Sequence, residues 1–149
     1  MTVFGGDPIL AADMNRALTR VIAATEATSD LSAINSATNT LIDSVTAAVE
    51  AGRRYKISAY IPVILSDTAS NHYILICEDS VSGAQLTYDT ARHAQTARPQ
   101  AYVLWVYWTA TTTGNKTFVS CTRRADGTGT ITPKGATSQK RNLAVEAAD

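Results

Sequence analysis

The stretch RRYKISAYIPVIL, residues 53–65, constrains the fold more than any other part of the chain. Tyr55, Ile57, Ala59, Ile61, Val63 and Leu65 recur at every second position, with Arg54, Lys56, Ser58, Tyr60 and Pro62 between them. A period of two puts the first set on one face of an extended strand; a helix would scatter them around its circumference. The run therefore marks a half-buried strand, the pattern of an antiparallel sheet with one wet face. Pro62 has no N–H to give to a ladder, and predicts an edge or a bulge at that point.

Similar runs follow. HYILICE (72–78) is apolar on both faces, AQLTYDT (84–90) is short, and AYVLWVYWTAT (101–111) is long, aromatic and apolar on both faces, which predicts a central strand. KTFVSCTRR (116–124) places Phe118, Ser120 and Thr122 on one side and Val119, Cys121 and Arg123 on the other. TITPKG and RNLAVEA read as short closing strands, and LIDSVTAAV (41–49) as an earlier one. Between them stand turn sequences: EAG, SDTASN, DSVSG, TTGN and ADGTG. Asp126-Gly127 and Gly129 suit the positive φ of a tight corner. Seven or eight strands at this spacing predict a mainly β chain, an antiparallel β-sandwich or jelly roll. A 149-residue chain with 45% hydrophobic residues can bury such a core.

The N-terminal part reads differently. In GDPILAADMNRALTRVIAAT, Asp7 suits a helix N-cap and Pro8 the first turn, while Ile9 or Leu10, Met14, Leu18 and Ile22 recur at helical spacing. The expected division is a docking segment with a short helix over 1–24, a linker with the first strand over 25–52, and the sandwich over 53–149. Phe4, Ile9, Leu10, Met14 and Leu18 make a narrow apolar stripe suited to binding a partner.

Net charge is zero, from 13 basic and 13 acidic residues, so the basic excess of a nucleic-acid binder is missing. The charge is nevertheless divided. Residues 1–52 hold six acids and two bases, and the remainder holds seven acids and eleven bases. The two parts are expected to attract each other, within one chain or between neighbours. The start MTVFGGDPIL lacks the basic and apolar regions of a secretory signal. The longest apolar run, YVLWVYW at 102–108, falls far short of the roughly 20 residues of a membrane helix. Cys77 and Cys121 read as buried free thiols.

Candidate chemistry is sparse. HExxH, CxxC, GxSxG and P-loop patterns are all missing. His93 follows Asp89 by four residues, a metal spacing only on a helix, and the surrounding sequence reads as loop. His72 reads as a surface histidine at a strand start, and Glu78-Asp79 as a solvated turn. No metal, cofactor or catalytic residue is assigned, and the chain is expected not to be an enzyme. A cell-wall hydrolase would need Glu78 and Asp89 in one cleft. The doublets Arg53-Arg54, Arg123-Arg124 and Lys140-Arg141 could meet in an anion-binding patch or merely end strands in water. Tyr102, Trp105, Tyr107 and Trp108 read as core first and as a sugar-stacking surface second.

Four segments, DPILAADMNRAL, VEAGRRYKISAYIPVIL, WTATTTGNKTFVSCTRRADGTGTIT and RNLAVEAAD, together resemble small virion structural proteins of tailed bacteriophages that infect actinobacteria. These are the minor tail, head-fibre and capsid-decoration proteins. The resemblance implies a jelly-roll-like domain, usually threefold, displayed on the virion and attached through its N-terminal segment. Implied partners are copies of the chain and the capsid or tail proteins of the same particle, with no membrane. A host-glycan or receptor-binding module is the alternative, and it would show exposed aromatics within YVLWVYW.

Overall fold

The computed structural model describes residues 21–92, 96, 98–136 and 139–148. Among them are nine strands: β1 (Val21–Glu26), β2 (Thr40–Val49), β3 (Arg54–Leu65), β4 (Asn71–Glu78), β5 (Gln85–Ala91), β6 (Gln100–Thr109), β7 (Gly114–Asp126), β8 (Ile131–Pro133) and β9 (Asn142–Ala147). Every pairing is antiparallel. One sheet runs β1-β9-β3-β6, with β8 also on β3, and the other runs β2-β7-β4-β5. Most connections cross from one sheet to the other, which makes the pair a β-sandwich of jelly-roll type. Eight of the nine strands match runs expected from the sequence, and β1 is the addition.

β3 organises the core. Tyr55, Ile57, Ala59, Ile61, Val63 and Leu65 are all sealed from solvent between the sheets, as their alternation requires. Ile42, Val45, Ala47 and Val49 of β2, Ile74 and Ile76 of β4, Phe118 of β7, and Leu143 and Val145 of β9 complete the same cluster. Each such side chain contributes about 1.5–3 kcal/mol by leaving water. At one end, Trp108 stacks edge-on to Phe118 at 5.1 Å and lies 6.2 Å from Tyr55. β7 also has a second apolar face. Val119 and Cys121 join Leu75 and Cys77 in a smaller cluster on the outer side of the four-stranded sheet, covered by Tyr73 and Val81. The two thiols are free and buried, with sulfurs 3.7 Å apart.

Pro62 sits neither on an edge nor in a bulge. β3 is central, with β6 along one side and β9 then β8 along the other. β9 pairs with β3 as far as Tyr60, and β8 takes over at Val63. Pro62 lies in the handover, where its carbonyl accepts the Lys134 N–H at 2.8 Å. The N–H and C=O of one strand residue point the same way, so the N–H that proline lacks would have met the gap between two strands.

β6 departs from expectation more sharply. It closes the edge of its sheet and pairs with β3 alone. Tyr102 and Leu104 are buried and Val106 and Trp108 pack against the core, whereas Val103, Trp105 and Tyr107 face out. At the 125–130 corner, Gly127 has φ +74°, and a side chain there would strike Ser70. Gly129 is needed for a different reason: a Cβ would lie 2.3 Å from Asp67 Oδ2.

The expected N-terminal helix falls mostly outside the described residues, and its last residues, Val21 and Ile22, belong to β1. The stretch 25–52 is built into the sandwich, since β2 supplies four residues of the main core.

Candidate assembly surface

Residues alternating with the core residues of β3, β6, β9 and β1 form the outer face of the five-stranded sheet. Register aligns Trp105 with Ser58, Ser58 with Ala144, and Ala144 with Ala24. The next row runs Tyr107, Lys56, Glu146, Val21. Along β6 the face rises into a ridge: Val103 is 64% exposed, Trp105 56% and Tyr107 46%. The Trp105 and Tyr107 rings meet edge-on at 5.6 Å, and the Arg54 guanidinium lies 4.0 Å over Tyr107. Beside the ridge, Ser58, Ala144 and Ala24 leave a low strip three strands wide. Val21 and Ile22 are exposed at its far side, so five of the seven large apolar side chains exposed among the described residues are on this sheet. Lys56 and Glu146 make an ion pair at 3.9 Å within the face. Patches of this kind on a folded chain mark contact surfaces.

The basic doublets do not gather. Arg54 pairs across from Thr109, just before the turn that leads to Gly114, whereas Arg123 is nine residues further along β7, about 30 Å away. Arg53 sits 3.8 Å from Glu50 and 5.9 Å from the Tyr55 ring. Arg124 bonds to Asn35 Oδ1, and its own N–H reaches Ser36 O. Lys140 pairs with Glu26 at 2.7 Å and Arg141 with Asp43 at 2.9 Å. The docking stripe of Phe4, Ile9, Leu10, Met14 and Leu18 lies outside the described residues, as does His93.

Glu78 and Asp89 share no cleft. Asp89 pairs opposite Ile74, and Glu78 lies four residues further along β4, about 13 Å. Glu78 is committed elsewhere: it accepts the Trp108 indole N–H at 3.2 Å and pairs with Lys116, which also holds Asp79 at 2.9 Å. These hydrogen bonds raise the Lys116 pKa. Among the described residues no group of three or more His, Cys, Asp or Glu side chains is placed to hold a metal ion. His72 is a correction to the sequence reading: it is buried completely.

Division of charge is resolved within the chain. Glu26, Asp30 and Asp43 pair with Lys140, Lys134 and Arg141 respectively. Lys134, together with the Gly135 and Ala136 N–H groups, holds the Asp30 carboxyl down at about 2.

The sequence matches no protein-family model and no curated protein. Solved structures share the fold. Eiger TNF from S. frugiperda superposes with a TM-score of 0.51 at 12% identity, over 87% of this chain and 94% of that one. The infectious bursal disease virus VP2 subviral particle gives 0.44 at 11% identity, over 85% of this chain and 37% of that one. The CBM35 from Cellvibrio japonicus Abf62 gives 0.42 at 12%, over 85% and 98%. At these identities the likeness is one of fold alone.

Proposed function

We propose that this chain is a non-enzymatic structural protein of a phage virion, of the capsid-decoration or head-fibre kind. In this reading it forms a homotrimer, and its N-terminal segment docks on the capsid or tail. The observation that carries the reading is the outer face of the five-stranded sheet, which holds a ridge and a low strip side by side. The Trp105–Tyr107 ridge of one copy fits the Ser58–Ala144–Ala24 strip of the next. Where this contact repeats head to tail with a rotation that closes, it builds a ring; where it is made reciprocally, it builds a twofold dimer. Three as the number of copies comes from the resemblance to phage proteins. The jelly-roll fold and the alternating, hydroxyl-rich strands suit persistence in a particle.

Native mass measurement of the full chain tests this. Three copies are expected at micromolar concentration. Trp105→Ala should weaken association by about 2 kcal/mol or more, the loss of a central aromatic contact, with an unchanged far-UV spectrum. A full chain that stays monomeric at tens of micromolar removes the self-assembly reading. In the alternative, a host-glycan-binding module or minor tail protein, Trp105 would meet sugar in place of a second copy. Quenching of tryptophan fluorescence by host-wall polysaccharide in a monomeric chain would favour it.

A further inference from the structure

The other sheet carries a separate feature. On its outer side, β7 places Arg123 directly across from Tyr73 of β4, and β5 places Tyr88 across from Leu75. Together with Gln85 these side chains line a hollow of about 230 Å³. Its components are mixed in a specific way. Tyr88 is 57% exposed, and its ring meets that of Tyr73 in a T-shaped pair at 5.5 Å. The Arg123 guanidinium lies 5.2 Å over the Tyr73 ring, and among the described residues no carboxylate pairs with it. Its Nε is buried and among the described residues has no hydrogen-bond partner.

Beyond Arg123 a shallower hollow continues past Asn39 and Val81. Asn39 Nδ2 is anchored to Val81 O at 2.7 Å, while its Oδ1 is buried and unpaired. Arg123 thus divides a groove that offers a cation without a carboxylate partner among the described residues and an exposed aromatic ring.

We infer that this groove is a binding site for an acidic carbohydrate, a hexuronate residue within an oligosaccharide. The sugar carboxylate sits on the Arg123 guanidinium, where a planar fork meets a planar anion. The apolar C–H face of the pyranose lies on the exposed ring of Tyr88. Ring hydroxyls, which both donate and accept, meet Gln85, and the neighbouring sugar extends into the hollow past Asn39 and Val81. A peptide carboxylate would use Arg123 but leave the Tyr88 face and the hydroxyl partners without a role. The site lies on the sheet opposite the proposed assembly face, so it stands whether or not the chain forms a trimer.

Calorimetric titration of the full chain with the trisaccharides of galacturonate, glucuronate and mannuronate tests the inference. At least one should bind, with an affinity that falls as salt rises. Its methyl ester, the same shape without the charge, should bind at least tenfold more weakly. Arg123→Gln and Tyr88→Ala should each weaken binding tenfold or more, while Trp105→Ala should not change it. Ring resonances of Tyr88 should shift on titration, a readout that does not depend on any variant folding. Binding of none of the three acids at millimolar concentration overturns the inference. So does unchanged binding by both groove variants, or acetate and a C-terminal peptide binding as tightly as the sugar acid.

Discussion

His72 is sealed beneath the corner where the 66–70 and 125–130 loops meet, and neither ring nitrogen has a hydrogen-bond partner among the described residues. The nearby Gly129 N–H is taken by Ser70 Oγ at 2.6 Å. Burial is the main reason its pKa lies below the usual histidine value; the Arg124 charge adds to this, and Asp67, Asp126 and the Gly129 backbone partly oppose it. A base with a depressed folded pKa binds its proton more readily when unfolded. Its neutral form therefore supports the fold above about pH 6.5, and that support drains away as pH falls toward the folded value. The thermal midpoint should drop between pH 7 and pH 5, and His72→Leu should flatten that slope. An unchanged slope in the variant would refute the assignment. Sequence could not reveal this residue. A histidine that opens a strand after asparagine looks solvated, and only the return of the Asp126–Gly129 corner, far along the chain, buries it. Gly129 teaches the same lesson, because a glycine kept for close approach is indistinguishable in sequence from one kept for its φ.

β6 shows how far a strand can be read on its own. Its pattern correctly announced a strand, but apolar residues on both faces suit a central strand and an edge strand with an exposed ridge equally well. Which one it is depends on neighbours, and β6 has only β3. The aromatic run read as core first and as a sugar-stacking surface second, and the strand divides it: Tyr102 and Trp108 go to the core while Trp105 and Tyr107 are exposed. Long-range electrostatics read better. Three acids among residues 1–52 do find bases in 134–141, because both stretches flank paired strands. The most buried of these links joins the two sheets. Asp43 on β2 and Arg141 just before β9 are 10% and 5% exposed, and Arg141 also donates to Ser29 O at 2.8 Å. Asp43→Leu alone leaves a buried guanidinium uncompensated and should cost about 3–5 kcal/mol by chemical denaturation. Pairing it with Arg141→Met should recover much of that loss, and a double variant as unstable as the single one would argue against the ion pair as the cause.

At the scale of the whole molecule, every buried apolar residue among the described residues lies between Ala27 and Ala147, and the first strand among them opens at Val21. Deleting residues 1–20 should therefore leave the β spectrum intact and shift the thermal midpoint by no more than about 3 °C, under 1 kcal/mol. In the proposed role, the shortened chain should no longer be found on particles, as judged by the protein content of purified virions. Full occupancy without those residues would dismiss the docking segment. The sandwich itself was legible because an alternating strand declares its buried face locally, and turns declare where it stops. β1 and β2 were harder to place, because they pair with β9 and β7, far along the chain.

Pairing of β1 with β9 has one more consequence. Val21 stands opposite Glu146, so the polypeptide enters and leaves the sandwich at a single pole, beside the start of β3. β4 begins at the other pole, and Tyr73 and Arg123 lie near that start. A molecule tethered by its leading segment would stand on its pole of entry like a stalked cup. The arginine groove would then open sideways from the flank of the four-stranded sheet, with its Arg123 end farther from whatever holds the stalk than its Gln85 end.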